Sequence, residues 1–164
     1  MAKTKEQKGE VIAKLEDGFK NSISTVFVHF AKLNVADESA MRRSLRGEGV
    51  SYVVAKKTLI KRALQNLGHT AEIPLEGEVA VAYGGGNDAT LVARLMHGFG
   101  KSLADKVTIL GGIFEEKLIG QAEMQEIATI PSVQTLRGMF VNVINSPVAG
   151  LAVALKAIAD KRAA

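Results

Sequence analysis

Apolar residues recur at helical spacing in some stretches and alternate or cluster in others, and the two patterns divide the chain into elements. Between Thr4 and Asn21, Val11, Ile12, Leu15 and Phe19 fall on one side of a helical wheel, which predicts a helix. STVFVHF (Ser24–Phe30), dense in β-branched and aromatic residues, predicts a strand, and AKLNV a loop. A second helix is predicted from Asp37 to Gly47, with Met41 and Leu45 inward and the glycines of GEG ending it. VSYVVA (Val50–Ala55) predicts a second strand. Thr58–Leu67 predicts a third helix, whose apolar sector is Leu59, Ile60, Ala63, Leu64 and Leu67; Gly68 ends it and Pro74 marks the next loop. GEVAVAY (Gly77–Tyr83) reads as a strand broken by Gly84–Gly86, and Asp88–Lys101 as a helix. KVTILGGIF (Lys106–Phe114) and EEKLI supply the last strands, and Gln121–Thr129 a short helix.

From Pro131 onward every segment reads as helical. Ser132 is placed to cap a helix with the stripe Val133, Leu136, Met139, Phe140, Val143 and Ile144. Asn145-Ser146-Pro147 breaks or re-caps the chain, because serine caps a helix and proline fits its first turn. In the final helix Val148, Leu151, Leu155 and Ile158 form one stripe, and Val153 points nearly the opposite way. The pattern therefore predicts an α+β fold over residues 1–130, a single mixed sheet with packed helices, followed by an all-helical tail over residues 131–164.

Composition adds exclusions. The 164 residues are 47% hydrophobic and 23% charged, and include no cysteine, so disulfides, thiolate metal sites and cysteine nucleophiles are out. MAKTKEQKGE has lysines but no apolar core behind them, unlike a secretory signal. No run approaches a membrane span, and the polar side of the tail lacks the clustered cations and aromatic anchors of a membrane-surface helix. These features suit the cytoplasm. Aromatics are only 5%, which argues against aromatic base-stacking platforms. The net charge of +4 is unevenly spread: residues 1–62 hold 13 Lys and Arg against 7 Asp and Glu, a net +6, and the remainder holds 8 against 10, a net −2. A basic front and a near-neutral rear point to a polyanion partner on one side.

The basic residues cluster around one strand–helix junction, VVAKKTLIKRAL (Val53–Leu64). Lys57, Lys61 and Arg62 face away from the leucines, and Lys56–Thr58 offers both cations and the free N–H groups of a helix start, which suits phosphate. With Arg42, Arg43 and Arg46 of the preceding helix, these residues are expected to form one positive surface. The alternative is a solvated helix face. Neutralising roughly five phosphates gives a log–log salt slope near −4.

The stretch Leu45–Leu64, LRGEGVSYVVAKKTLIKRAL, resembles the signature of the bacterial ribosomal stalk-base family, number ten of the large-subunit series. The family pattern is an arginine-rich helix, a strand, a Lys-Asn-Thr-Leu junction and a basic helix. Here the junction is Lys56-Lys57-Thr58-Leu59, with Lys57 replacing the asparagine. The family's Tyr-Arg-Gly-Leu loop appears as Phe30-Ala31-Lys32-Leu33, its cation one position later. GEVAVAY and GGIFEEKLIGQAEMQEIATIPS continue the resemblance in order along the chain.

The resemblance implies a structural constituent of the large ribosomal subunit. Its front domain binds large-subunit (23S) rRNA beside large-subunit protein eleven. Its last helix carries dimers of the acidic stalk protein, seven/twelve, which recruit translation GTPases. Several such proteins also repress translation of their own messenger. Carried onto this chain, the expected rRNA-binding residues are Lys32, Arg42, Arg43, Arg46, Lys56, Lys57, Thr58, Lys61 and Arg62. The expected stalk-protein contacts are Val148, Leu151, Val153, Leu155 and Ile158. A lone helix of about 15 residues is marginal in water. Burying its four-residue stripe under a partner supplies about 6–10 kcal/mol gross, at roughly 1.5–3 kcal/mol per side chain. The competing account packs this helix back on its own domain.

Other motifs carry less. AVAYGGGNDATL sets glycines between a strand and a helix, but lacks the Gly-Lys-Ser/Thr of a P-loop and the dinucleotide spacing, so a turn capped by Asp88 is expected. A nucleotide-binding module or small enzyme built on Gly84–Gly86 is the alternative function. His29, His69 and His97 lack metal-ligand spacing, and Glu115-Glu116 reads as a solvated turn. No cofactor, metal or catalytic residue is assigned.

Overall fold

The computed structural model describes residues 5–68, 77–84, 86, 88–103, 106–115 and 117–163. Pro74, His69, Gly85 and Glu116, to which the sequence assigned a loop, a lone histidine, part of a glycine run and a turn, lie outside the described residues. The chain divides into two units, Met1–Ile130 and Pro131–Ala164.

The first unit contains β1 (Ser24–Phe30), β2 (Val50–Val54), β3 (Val79–Gly84), β4 (Val107–Phe114) and β5 (Lys117–Ile119) in one sheet of order β2-β3-β1-β4-β5. The α+β, single-sheet expectation holds. Every ladder is antiparallel, where the sequence suggested a mixed sheet. The reason is an insertion. The helical crossover from β1 to β2 leaves these two strands pointing the same way, and β3 then slots between them, antiparallel to both.

Two helical layers cover the sheet. On one face α2 (Val35–Gly47), α4 (Leu91–Ser102) and α5 (Gln121–Thr129) enclose Val26, Val28, Val50, Ala82, Val107 and Ile109. On the other, α1 (Lys5–Asn21) and α3 (Lys57–Asn66) enclose Phe27, Val79, Val81 and Ile113. The two-residue alternation of β1 drives this division: Val26 and Val28 point one way and Phe27 the other, all fully buried. Phe27 meets Phe19 of α1 edge-to-face, with ring centroids 6.2 Å apart.

Alternation alone would put Val107, Ile109 and Ile113 on one face. They divide because the β1–β4 register shifts between Phe27 and Val28, which pair with Gly111 and Ile109. One extra residue in β4 reverses the parity of everything beyond it. Gly111 adopts φ +146° there, a backbone state that side chains disfavour. At the other end of the sheet, Gly84 (φ +132°) lets β3 approach the β2 entrance, since a Cβ there would sit 2.7 Å from the Gly49 carbonyl oxygen.

The second unit is α6 (Val133–Ala163), 31 residues long. Ser132 caps it, its Oγ accepting the Thr135 N–H at 3.3 Å. The expected break at Asn145-Ser146-Pro147 is absent: the helix runs through Pro147. Proline removes one backbone hydrogen bond and crowds the carbonyl four residues back, at a cost of about 3 kcal/mol. The helix nonetheless continues on both sides, so Ser146 caps nothing.

Candidate functional site

β2 is an edge strand, and the two basic helices flank it from opposite faces. Met41 and Leu45 root α2 in one core, and Ile60, Ala63 and Leu64 root α3 in the other. The two helices expected to carry one positive surface therefore pack on opposite faces of the sheet, either side of its β2 edge.

On α2, Arg43 and Arg46 are exposed. Arg42 is engaged within the chain. Its Nη2 lies 2.7 Å from Glu38 Oε1, one turn back, and its guanidinium sits 5.2 Å from the centroid of the Tyr52 ring on β2. Burial pushes the Tyr52 phenol up to about 12; Glu38 adds to the rise and Arg42 opposes it. Sequence reasoning counted Arg42 with the RNA-facing cations because periodicity places it on the polar side of α2. The Tyr52 ring beneath it is a long-range contact.

On α3, Lys57, Thr58, Lys61 and Arg62 are exposed, as is Lys56 before them. Lys56 occupies the N-cap position with an extended backbone (φ −64°, ψ 136°) and no side-chain cap. Its carbonyl accepts the N–H groups of Leu59 and Ile60. The leading N–H groups of such an uncapped start are the donors a phosphate uses.

Strand pairing brings Lys32 toward this junction. His29 pairs with Val79, and Val54 with Ala80, so β1 and β2 both end at the strand-entry end of β3. Lys32, just beyond β1, is exposed and left-handed (φ +53°), an unusual state for a residue with a side chain. Its neighbour Ala31 donates its N–H to the Lys106 carbonyl at 2.9 Å. Lys32, Lys56 and Lys57 thus gather at one end of the sheet, while Arg46 lies a helix length toward the other.

The glycine-run region has a structural occupation. Asp88 Oδ1 accepts from Thr90 N at 3.1 Å and Thr90 Oγ1 at 2.8 Å, and Asp88 Oδ2 lies 3.0 Å from Arg94 Nη2. Partial burial pushes the Asp88 carboxyl up, but the Arg94 and Thr90 hydrogen bonds outweigh it and hold the group below its usual range. The expected turn over Gly84–Gly86 lies partly outside the described residues. Asp88, expected as the cap, stands two residues before Thr90, which holds the N-cap position of α4. Among the described residues, no three His, Cys, Asp or Glu side chains group as a metal would require.

On α6, Val148, Leu151, Val153, Leu155 and Ile158 are all exposed, from 54% for Ile158 to 69% for Val153. The earlier stripe is exposed as well, from 41% for Leu136 to 69% for Val143. Sequence reasoning restricted partner contacts to the last helix because it placed a break at Ser146-Pro147. The same break concealed that α6 is long and apolar enough, by length and composition, to cross a membrane. The expectation that no run approaches a span is corrected accordingly.

Comparison with known proteins addresses both units. Residues 3–101 match the family Ribosomal protein L10, and residues 130–164 match Ribosomal protein uL10 C-terminal region. The chain is 36% identical to the large ribosomal subunit protein uL10 of Shouchella clausii over 163 residues, 99% of this chain and 97% of that protein. It is 33% identical to the protein of the same name in two Bacillus cereus strains over 164 residues, again 99% of this chain and 97% of theirs. The chain belongs to the uL10 family of large-ribosomal-subunit proteins, and is a structural component of the bacterial cytoplasmic ribosome rather than an enzyme.

Proposed function

We propose that the chain forms a stalk base with two separate attachments. The unit of residues 1–130 binds large-subunit rRNA, beside large-subunit protein eleven, through Lys32, Arg43, Arg46, Lys56, Lys57, Thr58, Lys61 and Arg62, with Arg42 chiefly structural. The unit of residues 131–164 holds dimers of the acidic stalk protein, seven/twelve, which bring translation GTPases to the ribosome. Binding of the same basic surface to the chain's own messenger accounts for autorepression.

One observation carries this reading: α6 presents large apolar side chains along its whole length, all exposed. A 31-residue helix extends about 46 Å at 1.5 Å per residue, room for several partners in a row. A protein partner fits better than a bilayer. Asn142, Asn145 and Arg137 lie within the helix, where a hydrocarbon environment penalises them. Gly138, Gly150 and the alanines let partner helices approach closely.

Co-expression with the acidic stalk protein, followed by native mass spectrometry, tests the scheme. Full-length chain is expected to carry an even number of stalk-protein copies. Paired Leu151→Asp and Leu155→Asp substitutions are expected to reduce that number and leave rRNA binding intact. A full-length chain that binds no stalk protein, with its first unit folded, overturns the assignment of α6.

A further inference from the structure

A groove of about 550 Å³ opens at the sheet end where the lysines gather, between the start of α1, the end of β1, the β2–α3 junction and the start of β3. Its floor is apolar, formed by Val11, Phe30, Val54, Leu59 and Val79, and Val54 is 43% exposed. Among the described residues, Lys8, Lys56 and Lys57 line it beside one acid, Glu78. Phe30 and Glu78 are tied together: the Phe30 N–H donates to the Glu78 carbonyl at 3.2 Å, and His29 Nδ1 lies 3.0 Å from the same oxygen.

Building on the rRNA-binding reading, we infer that this groove receives an unpaired nucleobase of the bound RNA, with guanine preferred. Lys8, Lys56 and Lys57 take the phosphates on either side of that nucleotide. A duplex backbone needs cations but no apolar hollow. A splayed-out base needs both, because its face stacks on aromatic and aliphatic carbon while its own phosphates stay in water. Charge complementarity favours an anionic occupant: among the described residues, three lysines border the hollow beside one carboxylate. The volume suits a nucleoside-sized guest.

Glu78 supplies the base preference. A carboxylate only accepts hydrogen bonds, and beside a polyanion it is unfavourable unless it accepts strong ones. The Watson–Crick edge of guanine presents two adjacent N–H donors, matching the two carboxylate oxygens. Uracil presents one donor between two acceptors, and adenine and cytosine each set an acceptor beside their amino group. A low overall aromatic content does not preclude stacking at one place, and Phe30 lines this groove.

The test is kethoxal footprinting, which modifies unpaired guanines at their Watson–Crick edge. The full-length chain is bound at saturation to a large-subunit rRNA transcript, with hydroxyl-radical footprinting of the backbone in parallel. The expected result is an unpaired guanine protected by the native chain and reactive again with Glu78→Gln or Phe30→Leu. The backbone footprint persists in both variants, and affinity falls about tenfold with Phe30→Leu. Glu78 is exposed, so Glu78→Gln remains informative if Phe30→Leu does not fold. Salt-sensitive binding with an identical guanine pattern for the native chain and Glu78→Gln overturns the base-binding inference and leaves the rRNA reading standing. Absence of any binding by the native chain overturns the rRNA reading itself.

Discussion

The guanidinium of Arg42 lies over the ring of Tyr52, 5.2 Å from its centroid, and joins helix α2 to the edge strand β2. The same guanidinium pairs with Glu38 one turn earlier in α2. A cation–π contact of this exposure contributes about 0.5–1 kcal/mol. A helical i,i+4 pair adds about 0.2–0.5 kcal/mol. Arg42→Ala is therefore expected to cost about 1 kcal/mol in a urea melt. Its effect on RNA affinity is expected to be smaller than that of Arg43→Ala.

Tyr52 links stability to alkaline pH. Its phenol ionises near 10 in the unfolded chain and about 12 in the folded one, with burial as the main cause. The folded state therefore holds its proton longer. This contribution is fully present below pH 10 and is lost as pH rises from 10 through 12. Spectrophotometric titration of the phenol is expected to show one late-ionising tyrosine, absent in Tyr52→Phe. That variant is also expected to lose less stability on the alkaline side.

RNA binding is expected to fall steeply with salt, with a log–log slope near −4 if about five phosphates are neutralised. Lys57→Ala removes an exposed cation at the α3 start and is expected to reduce the slope by about 1. Arg42→Ala is expected to leave the slope nearly unchanged. Filter binding over a salt series distinguishes the two.

Pro147 sits inside α6, so Pro147→Ala restores a backbone hydrogen bond and relieves a steric clash. Melting followed by circular dichroism is expected to show helix that persists to higher temperature, because the interior proline opposes the helix by about 3 kcal/mol. Stalk-protein binding is expected to persist. If Ser146-Pro147 instead began a separate helix, the same change would remove a favourable first-turn residue and lower helicity.

Local signals located the elements well because they are decided locally. Ser24–Phe30 and Gln121–Thr129 were predicted with the observed ends, since strand composition and a flanking glycine mark them. Facts that depend on pairing stayed hidden. The bulge in β4 that turns Ile113 to the opposite face from Ile109 requires knowing that β4 lies against β1. That the helix of Arg42, Arg43 and Arg46 and the helix of Lys57, Lys61 and Arg62 cover different faces of the sheet is something no helical wheel reports. Ser146-Pro147 misled because the same dipeptide starts one helix and is tolerated inside another. The outcome depends on fifteen or so residues on each side.

The continuous, uncovered α6 has a consequence for the economy of assembly. With companions seated on it as proposed, its protection scales with their concentration and affinity. Orphan copies made in excess would display a greasy rod to proteases and to one another. Surplus chains would be cleared or would clump, and supply of the shielding protein would set how much of this one survives.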